Sequence, residues 1–318
     1  MDRRLLGKTG LTVPPVMLGG NVFGWTLNET DSFAVLDAAF EAGLTFIDTA
    51  DIYSTWKPGN SGGESETIIG KWLARTGRRD QVTIATKVGK DMGGESKVDL
   101  APQYMERAVE DSLRRLQTDR IDLYQSHDDD LRVPLEETLG AFDRMIRQGK
   151  VRFIGASNYS GARLREAMET SERAGLAAYQ TLQPQYNLVD REPYESELAP
   201  VALEYGIGVI PFYSLAAGFL TGKYRGPADL EGSERGSKTV YKYLNDRGWG
   251  VLAALDAVAK DYESKPARVA IAWLMTRPGI VAPIASATSV EHVRDLVEAT
   301  KLKLDPTAIA RLTDASAG

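Results

Sequence analysis

Four residues stand at positions where they could act together in proton transfer. Asp48, Lys87 and His127 each end an apolar run, and the three runs follow one another at a nearly constant interval. That interval is the length of one strand-plus-helix unit, so the pattern predicts that the three side chains top neighbouring parallel strands. Tyr53 lies just beyond the first run. An acid, a base and a phenol are therefore expected to converge on one mouth.

These residue types suit the transfer of a proton to or from an oxygen atom. A tyrosine phenol has an ordinary pKa of about 10, and a nearby ammonium lowers it by about 1–3 units because it stabilises the phenolate. Lys87 is the candidate ammonium, and Asp48 is expected to pair with it, since an unpaired charge in a barrel mouth is costly. His127 would supply an imidazole that orients a carbonyl oxygen. Taken singly, each residue also has a structural interpretation, as an ion pair, a packed ring or a strand-end histidine.

Eight strand-like runs alternate with polar segments and, in most cases, with amphipathic helical patterns. The predicted strands are 14–20, 44–48, 82–87, 121–127, 151–158, 177–187, 206–213 and 279–288. The predicted helices are 31–42, 64–75, 101–117, 134–148, 160–174 and 306–318. Strict alternation implies a parallel sheet, and eight repeats imply closure into a TIM β/α barrel. The alternative is an open doubly wound sheet, but its usual GxGxxG turn is absent from the sequence.

Two segments depart from a plain barrel. Residues 4–13 predict a hairpin that caps the N-terminal end of the barrel. After the seventh strand comes a long polar loop, which is either a disordered excursion or a lid over the strand ends. Residues 218–238 are predicted to order over a bound ligand, because Lys223 and Arg225 lie beside glycines and nothing in the pattern would hold the segment down.

Composition limits the class of protein. The chain has 318 residues, 43% of them hydrophobic, which is sufficient for one barrel domain spanning 1–318. The net charge of -6 argues against nucleic acid or an anionic membrane as partner, since both require a basic surface. The sequence has no cysteine, which excludes disulfides and thiolate chemistry, and its start lacks the apolar core of a signal peptide. The expected location is the cytoplasm, and the oligomeric state is left open.

Six motifs in order resemble the aldo-keto reductase family. They are FIDTADIYS (46–54), IATKVG (84–89), YQSHDDD (124–130), IGASNYS (154–160), LQPQYN (182–187) and YSLAAGFLTGKY (213–224). The resemblance extends from the opening hairpin to SATSVEHV (286–293), which is nearly the whole chain. It implies an eight-stranded barrel that binds a nicotinamide dinucleotide without a Rossmann motif, and hydride transfer to or from a carbonyl carbon. It also implies that Tyr53 is the general acid and base, tuned by Lys87 and Asp48, and that His127 orients the carbonyl.

The resemblance further implies a set of cofactor contacts. Ser157, Asn158 and Gln183 match the positions that bind the nicotinamide carboxamide, and Tyr213 matches the ring that stacks on the nicotinamide. The segment that folds over the pyrophosphate corresponds to Ser214, Leu215, Gly218, Leu220 and Lys223. The resemblance thus implies that the ligand over which residues 218–238 are predicted to order is the dinucleotide. Leu215 replaces the proline that usually follows this serine.

The end of the eighth strand departs most from the family pattern. Many relatives hold the 2′-phosphate of NADP with a basic residue and an arginine one helical turn later. This chain has Ser286, Thr288 and Ser289, then His292 in place of that arginine, with Arg294 nearby. Hydroxyls and backbone N–H groups at a helix start still bind phosphate, but they discriminate weakly. A modest preference for NADP(H) is therefore expected, and NAD remains possible.

Four functions fit the sequence to different degrees. The first is an NADP(H)-dependent reductase of small aldehydes or ketones, and its near rival is an NAD-linked dehydrogenase of a sugar or other polyol. A metal-dependent hydrolase would use His127 with Asp128, Asp129 and Asp130. The fourth is a non-catalytic nicotinamide sensor or channel-associated subunit. The aromatic residues of loop 21–25, with Trp56 and Asp128, suit a hydroxylated or cationic substrate.

Overall fold

The computed structural model describes residues 1–90, 98–231 and 239–317. The strands among them are Arg4–Leu5 (β1), Thr12–Val13 (β2), Met17–Gly19 (β3), Phe46–Asp48 (β4), Thr83–Val88 (β5), Ile121–Ser126 (β6), Val151–Ser157 (β7), Thr181–Gln183 (β8), Gly208–Val209 (β9) and Ile284–Ala285 (β10). The α-helices are Glu29–Glu41 (α1), Glu64–Thr76 (α2), Pro102–Leu116 (α3), Leu135–Arg147 (α4), Gly161–Ala174 (α5), Ala199–Tyr205 (α6), Asp246–Asp261 (α7), Pro266–Met275 (α8), Val290–Lys301 (α9) and Pro306–Ala315 (α10). No helix of the described part is long and apolar enough to cross a membrane.

Eight of the strands form one parallel sheet that curls toward closure. The order is β10, β3, β4, β5, β6, β7, β8 and β9, and every neighbouring pair is parallel. A parallel bridge joins Val209 in β9 to Ile280, four residues before β10. The backbone N–H of Ile284 also donates to the carbonyl of Pro211 at 2.9 Å. These contacts across the last gap confirm the predicted eight-stranded β/α barrel.

The predicted N-terminal hairpin is confirmed, and it closes the bottom of the barrel. β1 and β2 pair in antiparallel register, with Arg4 opposite Val13. Leu6 and Val13 are fully buried in one cluster with Met17, Phe46 and other residues of the barrel interior. The apolar filling of the lower barrel is thus continuous with the hairpin.

Period-two alternation explains how the polar side chains reach the upper interior. In β4 the alternation places Phe46 and Asp48 on one face, and in β5 it does the same for Ala85 and Lys87. Phe46 and Ala85 lie in the interior cluster, so the aspartate and the lysine top the same apolar column. The apolar members exclude water below, and the polar members meet at the C-terminal ends of the strands.

Most of the strands are shorter than predicted, and the long segment after β9 is more ordered than predicted. It contains α7, whose first turn is capped by Asn245, and α8, which begins at Pro266. The expectation that nothing would hold residues 218–238 is wrong over the part that is described. Leu220 and Leu230 are buried, and Arg225 makes a bidentate ion pair with Asp256 of α7 at 2.6 and 2.8 Å. The remainder of that prediction, 232–238, lies outside the described residues.

Candidate active site

Three of the four residues that the sequence singles out form one hydrogen-bonded group, and the fourth, His127, lies beside it. Lys87 Nζ lies 2.7 Å from Asp48 Oδ1 and donates to Tyr53 Oη at 2.8 Å. Tyr53 Oη in turn donates to Asp48 Oδ2 at 2.9 Å. The imidazole of His127 lies edge-on to the Tyr53 ring, with centroids 6.0 Å apart. Adjacent strands therefore deliver an acid, a base and two rings to a single point.

Burial sets the protonation of the phenol. Loss of solvent raises the pKa of Tyr53 well above its usual value, and the negative charge of Asp48 raises it further. The expectation that Lys87 lowers this pKa is wrong as a net effect, because burial and the carboxylate outweigh the ammonium. The phenol is thus held in its proton-bearing form, which is the form that can donate a proton to an oxygen atom.

Lys87 is fully buried, and its ammonium is satisfied by neighbouring oxygens. Besides Asp48 and Tyr53, it donates to the carbonyl of Thr49 at 2.8 Å. Burial lowers the pKa of Lys87, and the charge of Asp48 opposes that effect. Gln183 Nε2 donates to Asp48 Oδ1 at 3.0 Å, which fixes the carboxylate from the far side of the barrel.

His127 is held as a neutral imidazole. Burial lowers its pKa well below the usual value, and the positive charges of Lys87 and Lys90 lower it further. Its Nδ1 is buried without a hydrogen-bond partner in the described part of the chain, so a proton there would be an unpaired buried donor. The neutral tautomer with its proton on Nε2 avoids that cost and can donate to a carbonyl oxygen.

This depressed pKa predicts a pH dependence of stability. We expect the free energy of unfolding to decrease as the pH falls below about 6.5, because the unfolded chain then binds a proton that folded His127 does not. The contribution of His127 to the free energy of unfolding is fully present above that pH. It is lost as the pH falls toward the pKa of His127 in the folded protein. Urea unfolding at several pH values measures it, with a slope of up to about 1.4 kcal/mol per pH unit. His127→Gln should remove this part of the slope, and equal slopes in the two proteins would contradict the assignment.

Three of the predicted nicotinamide contacts lie at the ends of two neighbouring strands. Ser157 ends β7, Asn158 lies in the turn between β7 and α5, and Gln183 ends β8. Ser157 Oγ donates to the carbonyl of Gln183 at 2.8 Å. Asn158 adopts a left-handed φ of 56° and donates through Nδ2 to the carbonyl of His127 at 2.8 Å. The side-chain amide of Asn158 thus donates to His127 and that of Gln183 donates to Asp48, and no described residue donates to Asn158 Oδ1 or Gln183 Oε1. Two amide acceptors side by side fit the NH2 of a nicotinamide carboxamide.

Tyr213, in the segment after β9, presents an exposed aromatic ring. Its side chain is 43% exposed, although its backbone has a strained φ of 54°. Asn187 Nδ2 donates to the Tyr213 carbonyl at 3.0 Å and stabilises that conformation. A large exposed ring on a strained but fixed backbone fits the stacking partner that a nicotinamide requires.

The segment after Tyr213 supports only part of the predicted pyrophosphate contacts. Ser214 is buried, and its hydroxyl donates to the carbonyl of Pro211 at 3.2 Å. Leu220 is buried in the hydrophobic core, and the Ser214 hydroxyl already has a partner, so we expect these two residues to contribute through their backbone groups. Leu215 is half-buried, Gly218 has a φ of 97°, and Lys223 is exposed. Those three residues and the backbone of the turn remain as candidate contacts.

The end of β10 and the start of α9 present hydroxyls and an exposed arginine. Ser289 caps α9 by accepting from the N–H of His292 at 3.2 Å. The ring of His292 points toward the start of α9, where Nδ1 lies 3.0 Å from the Thr288 hydroxyl. In this arrangement His292 is hydrogen-bonded within its own helix start. The hydroxyl of Ser286 donates to the side chain of Asn21. Arg294 is exposed and makes no hydrogen bond or ion pair with the described residues.

The three aspartates after His127 differ in their partners. Asp129 pairs with Arg163 at 3.0 Å, and Asp130 pairs with Arg132 at 2.8 Å. Both carboxylates are therefore directed at guanidinium groups, which argues against the alternative of a metal site built from this run. Asp128 instead lies 3.8 Å from Lys90, a residue that the sequence analysis did not single out.

Comparisons with known proteins agree with these observations. The model of the Aldo/keto reductase family matches residues 15–317. The oxidoreductase YrpG of Bacillus subtilis, whose name carries the word uncharacterized, is 36% identical over 99% of this chain and 95% of its own. The aldo-keto reductase YhdN of the same organism is 36% identical over 88% of this chain and 82% of its own. A probable voltage-gated potassium channel subunit beta of rice is 30% identical over 94% of this chain and 91% of its own. The chain belongs to the aldo/keto reductase family.

Proposed function

We propose that the protein is an NADP(H)-dependent oxidoreductase of small aldehydes or ketones, with Tyr53 as its general acid and base. The observation that carries the proposal is the position of Tyr53 Oη, which lies 2.8 Å from Lys87 Nζ and 2.9 Å from Asp48 Oδ2 beside His127. We further propose that residues 1–318 form one domain that works in the cytoplasm.

The residues present fit a bound nicotinamide dinucleotide. Asn158 and Gln183 would hold the carboxamide, Tyr213 would stack on the ring, and Lys223 would neutralise part of the pyrophosphate. When bound, the reduced cofactor supplies a hydride to the carbonyl carbon, and with one proton the products are an alcohol and the oxidised cofactor.

The protein supplies that proton. In reduction, Tyr53 gives its phenolic proton to the carbonyl oxygen as charge develops there, and the ammonium of Lys87 stabilises the phenolate that forms. His127 donates through Nε2 to the same oxygen and fixes its direction. In oxidation the phenolate removes the proton from the alcohol, so this direction requires higher pH.

The proposal is tested by a panel of carbonyls and alcohols assayed in both directions with NADP(H) and NAD(H). We expect the protein to reduce aldehydes with NADPH, as measured by the absorbance of the nicotinamide band. A chelator should not change the rate. If the protein bound the cofactor but turned over none of the substrates, a non-catalytic nicotinamide sensor would be favoured instead. The similarity to a channel subunit makes this alternative worth testing.

A second candidate is an NAD-linked dehydrogenase of a sugar or other polyol. The observation that favours it is the commitment of His292 to Thr288, which leaves Arg294 as the exposed cation at this helix start. The two candidates differ in whether a 2′-phosphate has a partner.

We expect Arg294→Ala to weaken NADPH binding by about 10- to 100-fold and to leave NADH binding almost unchanged. One charge-assisted hydrogen bond to phosphate accounts for a loss of that size. Dissociation constants from fluorescence titration measure it, with the exposed Arg114→Ala on α3 as a control that should change neither constant. Equal shifts for both cofactors, or a wild-type preference for NADH, would favour the dehydrogenase.

A further inference from the structure

The rim above Tyr53 and His127 combines an aromatic wall with an ion pair. The loops after β3 and β4 contribute Trp25 and Trp56, whose rings pack edge-on with centroids 5.4 Å apart. The loops after β5 and β6 contribute Lys90 and Asp128. The Tyr53 ring centroid lies 5.9 Å from that of Trp56 and 6.0 Å from that of His127, so the reacting tyrosine lies between Trp56 and the residue that Asp128 follows.

The aromatic wall is fixed in place. Ser54 Oγ donates to the carbonyl of Phe23 at 2.8 Å, and Asn60 Nδ2 donates to the carbonyls of Gly24 and Ser54, both at 3.0 Å. These bonds tie the first loop to the loop that carries Trp56. A tryptophan left 45% exposed on such a fixed loop offers a flat apolar surface to one side of a ligand.

The ion pair is close enough to offset its charges but open enough to accept hydroxyls. Lys90 Nζ and Asp128 Oδ2 are 3.8 Å apart, and the two side chains are 35% and 33% exposed. Asp128 Oδ1 accepts only the N–H of Asp129, at 3.1 Å, among the described residues. Because the pair is neutral as a whole, it has no net charge with which to attract a charged substrate. Its ammonium and carboxylate instead match hydroxyl groups, each of which both donates and accepts.

The pair also lies next to the reacting group. Asp128 follows His127 directly, and the positive charge of Lys90 is near enough to lower the pKa of His127. The neighbouring Asp129 and Asp130 pair with arginines, so among the described residues Asp128 is the member of the run whose carboxylate keeps spare acceptors. A substrate whose carbonyl reaches Tyr53 would place its adjacent carbons between Trp56 and this pair.

We propose that Lys90 and Asp128 form a subsite for hydroxyl groups adjacent to the reacting carbonyl, so that the favoured substrates are short hydroxylated aldehydes or ketones. The C–H side of such a chain would lie against Trp56, and its hydroxyls would bind the ion pair. This inference rests on the proposed carbonyl reductase function and narrows its substrate class.

The experiment compares kcat/KM for glyceraldehyde and for propanal, two three-carbon aldehydes that differ by hydroxyl groups. We expect Asp128→Asn and Lys90→Met each to lower the glyceraldehyde-to-propanal ratio by about tenfold, the size of one lost hydrogen bond to a charged group. Propanal turnover should stay near the wild-type value, which also shows that each variant folds. Hydration of each aldehyde is the same for all variants and cancels in the comparison. The exposed Asp119→Asn and Lys303→Met serve as matched controls and should keep the wild-type ratio.

The outcomes separate the subsite from the function. An unchanged ratio in both variants would overturn the subsite while leaving the reductase intact. An equal loss with both aldehydes would overturn it too, because the pair would then act only through His127. Absence of turnover by the wild-type protein with every carbonyl tested would instead refute the proposed function.

Discussion

Tyr53→Phe is expected to reduce kcat by about 10²- to 10⁴-fold, the usual contribution of a general acid, and to leave NADPH binding nearly unchanged. The substitution removes only Oη. The ring keeps its contacts with Trp56 and His127, and Lys87 keeps Asp48 and the Thr49 carbonyl as partners. Steady-state kinetics and fluorescence titration of NADPH measure the two quantities.

A matched control comes from the surface of the same protein. Tyr241 is 69% exposed, and Tyr241→Phe should have wild-type kcat. If Tyr53→Phe retained more than about a tenth of wild-type kcat, a general acid role for this residue would be refuted, since that loss is below the range for acid catalysis.

Lys87→Met is expected to be nearly as damaging and to move the pH profile of oxidation. Removal of the ammonium 2.8 Å from Tyr53 Oη takes away the group that stabilises the phenolate, so the pKa of Tyr53 should increase further. The limb on which kcat/KM for alcohol oxidation rises with pH should shift upward by about 1–3 pH units, the usual effect of one close opposite charge. Asp48 also loses its ion-pair partner in a buried site, which should lower the free energy of unfolding by about 3–5 kcal/mol.

The control for this change is an exposed lysine with an ion pair of its own. Lys71 lies 2.6 Å from Glu29, with both side chains about half exposed, and Lys71→Met should leave the pH profile unchanged and stability within about 1 kcal/mol. An unchanged pH profile with full activity in Lys87→Met would mean that the Asp48–Lys87 pair is only structural.

The sequence predicted the barrel and the meeting of Asp48, Tyr53, Lys87 and His127 because both depend on short-range regularities. Alternation along β4 and β5 puts residues two apart on one face, and a repeated strand-plus-helix length puts strand ends at one mouth. The helices α7 and α8 were missed for local reasons. Glycines interrupt the first turns of α7, and α8 is buried on most sides, so neither shows a clear polar face.

Other features depend on the tertiary structure and could not be seen in the chain alone. Spacing indicated that Lys87 would be near Tyr53, but it did not show how much burial would raise the pKa of the phenol. A matching motif could not distinguish backbone contacts from side-chain contacts, so Ser214 and Leu220 were named although their side chains face the core. Lys90 and Asp128 are brought together by two loops, and no short motif contains both.

Transfer of deuterium tests the central claim most directly. NADPH deuterated at C4 of its nicotinamide, on one face or the other, would be incubated with the protein and a panel of aldehydes and ketones in ordinary water. We predict that one of the two labelled cofactors delivers deuterium to the carbinol carbon of the product, as seen by mass spectrometry. Tyr53→Phe should suppress formation of this deuterated alcohol. Product without deuterium from either cofactor, or no product from any carbonyl despite tight NADPH binding, would contradict hydride transfer at this site.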